Sequence, residues 1–140
     1  ISFIIQRYSM DIFSDGISIK DTVSIPDMVG DVNLFFHQDG DRSEAEVEIM
    51  IACPEMRGKQ LGRTSLCAMM WYAFSFLGTR RFVAKIKDHN SACIGMMSSV
   101  GFTFVRKVAV FKEVEMVLEP DSGMIAAWEE HLRIFSILRP

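Results

Sequence analysis

The sequence predicts a mixed α/β domain, and three observations support that expectation. Apolar residues alternate with a period of two over several stretches, they recur at helical spacing over others, and a basic, glycine-bearing loop joins a strand to a helix in mid-chain. With 140 residues, 49% of them apolar and 24% charged, the chain suffices for one compact hydrophobic core and not for two full domains.

Phe3 to Ile5 suits a short strand, whereas Ser9 to Pro26 mixes Asp, Gly and Ser without a sustained period and is expected to be a loop or insertion. From Met28 to Phe36, Val32, Leu34 and Phe36 alternate with Asn33 and Phe35, and His37-Gln38-Asp39-Gly40-Asp41 then signals a turn. Ala45 to Ala52 places Val47, Ile49 and Ile51 on one face and Glu46, Glu48 and Met50 on the other, a half-buried strand that ends at Pro54. Leu66, Met69, Met70, Ala73, Phe74 and Leu77 follow the spacing of an amphipathic helix, which Gly78 ends. Phe82 to Lys87 alternates again as a strand. Asn90 is suited to cap a second helix with Ile94, Met96 and Met97 buried, and Gly101 to follow its end. Phe102, Phe104, Val108, Val110, Val114, Met116 and Leu118 return to a period of two, with a phase break at Arg106 and Lys112. Two antiparallel strands are expected there, turning near Lys107 to Lys112. After Pro120, the stripe Ile125, Trp128, Leu132 and Phe135 predicts a last helix over Met124 to Phe135.

Composition narrows the function classes. A formal charge of -3, from 15 basic and 18 acidic residues mixed along the chain, gives no electrostatic footprint for nucleic acid and no polybasic membrane patch. The longest apolar stretch, Leu66 to Leu77, is too short to cross a bilayer, so a soluble protein is expected. No secretory leader is visible, and the start at Ile1 suggests a fragment or processed form. Cys53, Cys67 and Cys93 are odd in number and form no C-x-x-C pair, so neither a disulfide framework nor a metal site is expected; the reducing cytoplasm, or the nucleus, suits them. His37 and His131 have no metal-ligand spacing with Asp, Glu or Cys.

The most informative stretch runs from Pro54 through Arg57-Gly58-Lys59-Gln60-Leu61-Gly62-Arg63, where a strand ends and a helix starts. A helix start exposes unpaired backbone N–H groups at the positive end of its dipole, and glycines let those amides approach a phosphate closely. Arg57, Lys59 and Arg63 add three cations, which suits a ligand with several negative charges. The spacing fits neither the phosphate loop of nucleotide hydrolases nor the dinucleotide-binding loop. The bland alternative is a solvated basic turn.

Arg57 to Gly62 resembles the pyrophosphate motif [QR]-x-x-G-x-[GA] of the GNAT acetyltransferases, and Asn90 to Phe102 resembles that family's second signature, an Asn after a strand, a short helix and Gly-Phe. Within the superfamily, Val29 to Phe35, Glu46 to Ala52 and Val110 to Val114 look like the N-acetyltransferase 9-like branch. The resemblance covers about Met28 to Leu118. It implies a GNAT-like fold over residues 1–120 with N-terminal elements missing, followed by a helical extension over 121–140. In that fold the sheet is largely antiparallel, with one parallel pair, here Ala45–Ala52 and Phe82–Lys87, splayed at its C-terminal ends. By resemblance acetyl-CoA enters that cleft, its pantetheine pairing with the backbone of Met50, Ile51 and Ala52 while Gly58, Lys59, Gln60, Leu61, Gly62 and Arg63 hold the diphosphate. Asn90 would contact pantetheine or coenzyme A. A protein amine is implied as acceptor, with an N-terminal α-amine and tubulin as the pointers.

Two positions depart from the family pattern. Gln60 stands where glycine is usual, and Met97 stands where many relatives carry a tyrosine that protonates the coenzyme A thiolate, which methionine cannot do. Acyl transfer is expected to be direct, and it needs a base for the amine proton. Glu48 is the preferred candidate and Glu46 shares its strand face; His89, beside Asn90, is another. The two departures also motivate a second expectation, a non-catalytic acyl-CoA-binding or interaction module that keeps the fold without turnover.

Overall fold

The computed structural model describes residues 1–6, 11–13, 16–18 and 28–137. Its strands are β1 (Ser2–Gln6), β2 (Asp11–Phe13), β3 (Gly16–Ser18), β4 (Met28–Phe36), β5 (Glu44–Ile51), β6 (Arg81–Lys87), β7 (Thr103–Val108) and β8 (Glu113–Leu118). Among the described residues there are three α-helices, α1 (Leu61–Tyr72) between β5 and β6, α2 (Ser91–Val100) between β6 and β7, and α3 (Ser122–Ile137) after β8. Six strands form one sheet in the order β1-β4-β5-β6-β8-β7, and β2 pairs with β3 apart from it.

Every neighbouring pair in the large sheet is antiparallel except β5 and β6, which run parallel because α1 carries the chain back between them. The expected mixed, largely antiparallel sheet is therefore present. Its parallel pair is joined over only three residue pairs, Glu44↔Arg81, Ala45↔Phe82 and Glu46↔Val83. Beyond them the strands part.

Alternation decides which side chains face the helices. Val32 and Leu34 of β4, Ala45 and Val47 of β5, Phe82, Ala84 and Ile86 of β6, and Val114, Met116 and Leu118 of β8 point to one face and are buried. Leu66, Met69 and Met70 of α1, Met97 of α2 and Trp128 of α3 cover that face in a single core. α3 lies along α1, with Trp71 Nε1 donating to Glu129 Oε1 at 3.2 Å and Thr64 Oγ1 3.2 Å from His131 Nε2. Among the described residues no helix is long and apolar enough to cross a membrane, and no cluster of His, Cys, Asp and Glu is arranged to hold a metal ion.

The structure corrects four expectations. Ser9 to Pro26 contains the β2–β3 hairpin, with Phe13 opposite Gly16; each strand has three residues, too few for a periodic pattern, although Asp15-Gly16 is a hairpin signal. The remainder of that stretch lies outside the described residues. α1 begins at Leu61 and so takes Gly62 and Arg63 into its first turn. Its C-terminal end widens into a π-helical turn over Ala73–Leu77 before Gly78 ends it at φ +81°. Phe104 is 61% exposed because β7 is the sheet's edge strand and its register breaks between Phe104 and Arg106, and Val110 is 87% exposed because it lies in the 3-10 turn Ala109–Phe111 between β7 and β8 rather than on a strand.

On the helix-free face the charged residues pair across strands: Glu44 with Arg81, Glu46 with Lys85 at 2.5 Å, Lys87 with Glu113 at 2.8 Å and Arg106 with Glu115 at 2.9 Å. Partial burial opposes the Glu44 charge, but hydrogen bonds from Arg81 and His37 outweigh it and hold the carboxyl below its usual range. A depressed carboxyl pKa contributes stability above the unfolded value, and that contribution is lost as pH falls through the folded value. Glu44→Gln is expected to lower stability near neutrality by less than about 1 kcal/mol. It should also flatten the loss of stability below roughly pH 4 to 5, as read from urea denaturation across that range.

Candidate functional site: the gap between β5 and β6

Past Glu46 and Val83 the facing edges of β5 and β6 have no strand partner, so a wedge-shaped gap opens toward their C-terminal ends. Which backbone groups look into it follows from alternation. The Ala52 N–H donates to Val29 O at 2.8 Å, so Ala52 faces β4. Met50 faces the same way, its carbonyl oxygen lying against Gly30. Of Met50, Ile51 and Ala52, only Ile51 turns its N–H and C=O to the gap, with Ile49 the next residue to do so. The expectation for the other two is corrected by this register.

The loop that follows is built for a free amide cluster. Pro54–Met56 makes one 3-10 turn, closed by Met56 N–H to Cys53 O and Arg57 N–H to Pro54 O, both at 3.1 Å. Gly58 at φ +72° and Gln60 at φ +61° then bend the chain into α1. The first helical bond is Thr64 N–H to Gln60 O at 2.9 Å. Among the described residues, none of the backbone N–H groups from Gly58 to Arg63 donates to a protein acceptor. Six amides thus stand at the positive end of a twelve-residue helix.

Gln60 occupies a left-handed conformation that disfavours a side chain with Cβ, which is the physical reason glycine suits this position. Gln60→Gly is expected to raise stability by up to about 1 kcal/mol, measurable as a shift in the denaturation midpoint. Lys59 and Arg63 are exposed beside the amides. The Arg57 guanidinium is turned back, its Nε donating to Ile51 O at 2.9 Å.

Gly62 is buttressed from behind. A Cβ built on it would lie 3.3 Å from Met96 Sδ of α2 and 3.7 Å from Ile51 Cγ1, so the first turn of α1 is pressed against both β5 and α2. Helical spacing marks Met96 as a buried position of α2 but not as a neighbour of the loop, and for the close approach at Gly30 a glycine inside a strand is the available signal.

The proposed acid–base residues separate clearly. Glu48 is exposed on the splayed arm of β5 and makes no hydrogen bond or ion pair among the described residues. Glu46 is held by Lys85 and lines a pocket of about 280 Å³ with Phe35, Glu44, Arg81 and Glu115, at the paired end of the strands rather than at the gap. His89 is 80% exposed just beyond β6, with Nδ1 3.8 Å from Asp88 Oδ1. Asn90 caps α2, its Oδ1 accepting from Cys93 N–H at 3.2 Å. Met97 is buried in the core, so packing is its role there. The Cys53 thiol donates to Glu55 Oε2 at 2.9 Å, and burial pushes the Cys67 and Cys93 thiols up.

A splayed parallel pair with a helix N-terminus at its mouth defines a class of site, one for an extended ligand that carries amides near one end and phosphates near the other. Comparison with known proteins agrees. Residues 6–103 match the acetyltransferase (GNAT) domain family. The chain is 43% identical over 98 residues to the N-acetyltransferase 9-like protein of Nematostella vectensis, covering 70% of this chain and 50% of that one. It is also 43% identical over 91 residues to the alpha/beta-tubulin-N-acetyltransferase 9 of Homo sapiens, covering 65% and 44%. The chain thus spans about half the length of the curated relatives it matches. Among solved structures, a spermidine N-acetyltransferase chimera from Vibrio cholerae superposes with a TM-score of 0.61 at 16% identity over 94% of this chain and 68% of that chain. The yncA protein of Salmonella typhimurium, solved with its cofactor acetyl-CoA, superposes at 0.56 with 27% identity, over 68% and 60%. The chain belongs to the GNAT acetyltransferase family.

Proposed function

We propose that this chain supplies the acetyl-CoA-binding part of an N-acetyltransferase that acts on a protein amine by direct transfer. The observation that supports it best is the coincidence of two hydrogen-bonding edges without a strand or helix partner: the gap side of β5 beyond Glu46, open apart from the Ile51 carbonyl that Arg57 engages, and the amides of Gly58 to Arg63. Acetyl-CoA, the cosubstrate of the family, carries a diphosphate for the second and pantetheine amides for the first. In the transfer, the neutral amine attacks the thioester carbonyl, a C–N bond forms, the C–S bond breaks and coenzyme A leaves as the thiolate, which takes a proton from water. Glu48, free on the open arm of β5, accepts the amine proton directly or through water. Names of the human and fly relatives direct the acceptor reading toward tubulin, and the amine we propose is an N-terminal α-amine. Three unpaired cysteines suit a reducing compartment, the cytoplasm or nucleus.

Calorimetric titration with acetyl-CoA, followed by thiol release over peptides with free N-termini, tests this proposal. Saturable binding and peptide-dependent thiol release are expected; no binding sinks it. Binding without release over any peptide would instead select the acyl-CoA-binding module that lacks turnover. Glu48→Gln is expected to lower kcat roughly a hundredfold while leaving acetyl-CoA affinity unchanged, and an unchanged kcat would remove Glu48 as the base.

A further inference from the structure

We infer that Arg57 is a positioning residue: it holds the end of β5 and the amide loop in place through a backbone hydrogen bond, rather than serving as a cation for phosphate. This deepens the reading of acetyl-CoA binding and rests on it. The Arg57 Nε–H donates to Ile51 O at 2.9 Å, across a span of six residues that contains the whole turn between strand and amide loop. Ile51 is the last residue of β5 and the one whose backbone faces the gap at that level.

Two consequences follow. The bond closes the turn formed by Pro54–Met56 from its far side, where the backbone supplies only the two bonds from Met56 and Arg57 N–H. The loop's orientation against β5 therefore depends on a side chain. The bond also occupies the Ile51 carbonyl and leaves the Ile51 N–H open to the gap. A ligand amide arriving there can offer its carbonyl oxygen to that N–H, but finds the Ile51 carbonyl already engaged. Arg57 thus selects which end of a ligand amide pairs at the strand terminus, and with it the ligand's register along β5.

The donating atom gives the means of testing it. Nε is the fourth side-chain atom out from Cα, and glutamine places an N–H at the same position without the charge. Lysine keeps the charge but puts its nitrogen one atom further out, on a flexible stem. The variants Arg57→Gln, Arg57→Lys and Arg57→Met therefore separate hydrogen bond from charge. Acetyl-CoA titrations at low and high salt are expected to give Arg57→Gln an affinity within about threefold of the parent, while Arg57→Lys and Arg57→Met weaken roughly tenfold, the size of one lost hydrogen bond. The salt dependence of Arg57→Gln should match the parent's, because a phosphate-contacting cation would be screened and this group is not one. Lys59→Gln, an exposed cation beside the amides, should instead reduce that dependence.

A ligand-free measurement keeps this inference distinct from the proposed function. Amide hydrogen exchange over residues 58–63 is expected to speed up in Arg57→Met and Arg57→Lys and to stay at the parent rate in Arg57→Gln. If the parent binds no acetyl-CoA, the functional proposal fails while the exchange result still judges Arg57. Parent-like behaviour of Arg57→Lys with loss in Arg57→Gln, equal loss in all three, or no change in any of them overturns the inference.

Discussion

Gly30→Ala is expected to destabilise the fold by about 3 kcal/mol and to lower the melting temperature by ~10 °C. Gly30 lies in β4 opposite Ile51, and a Cβ built on it would fall 2.1 Å from the Met50 carbonyl oxygen and 3.1 Å from Ile51 Cα. Both are backbone atoms in the middle of a ladder, so no side chain can rotate away to make room. The strands must separate locally, which breaks the bonds around Val29 and Ala52 that end the pairing. The displaced segment is also the rim of the gap, so ligand affinity should fall with stability. Thermal unfolding followed by circular dichroism measures the first effect. A melting temperature within a degree or two of the parent would mean that β4 and β5 are not so closely apposed.

Gly62→Asp is expected to weaken acetyl-CoA binding by at least roughly a hundredfold with little change in stability. The first turn of α1 favours a carboxylate, because the helix dipole is positive there. That same preference makes the new side chain an internal competitor for the anion site formed by the amides of residues 58–63, and it repels the diphosphate. Turning away from the amides leads it toward Met96 Sδ, Ile51 and Ile49, an apolar contact in which an unpaired charge is costly. Gly62→Ala is the control. Its Cβ meets the flexible end of Met96 at 3.3 Å, which can yield by a few tenths of an ångström, so its effect should stay below about tenfold. Calorimetric titration distinguishes the two, and near-parent affinity in Gly62→Asp would rule out the amide cluster as the diphosphate site.

The legible parts of the fold are those where burial imposes a period. Val32 and Leu34, Ala45 and Val47, and Phe82, Ala84 and Ile86 lie on strands with one face in the core, so their alternation marks β4, β5 and β6. Asn90 and Gly101 mark the ends of α2 because a cap needs a particular side chain at one end and a positive φ at the other. Where that pressure is absent the pattern misleads. Phe104 keeps the alternation of an inward residue, yet it stands on an edge strand and is exposed. The start of α1 at Leu61 leaves no periodic trace, because Gly62 has no side chain and Arg63 is exposed, so the first turn lacks the apolar spacing of the helix it opens.

By itself, the sequence determined the order of the main strands and helices, the place of the basic loop between a strand and a helix, and the family to which the chain belongs. These depend on local preferences and on motif chemistry that neighbouring residues carry. Only the tertiary structure decided that β5 and β6 stay paired for three residues before parting, that Ile51 and not Met50 or Ala52 looks into the gap, and that Arg57 turns toward a carbonyl. Each of those is a matter of register between segments distant along the chain or of one rotamer, and neither leaves a periodic trace in composition.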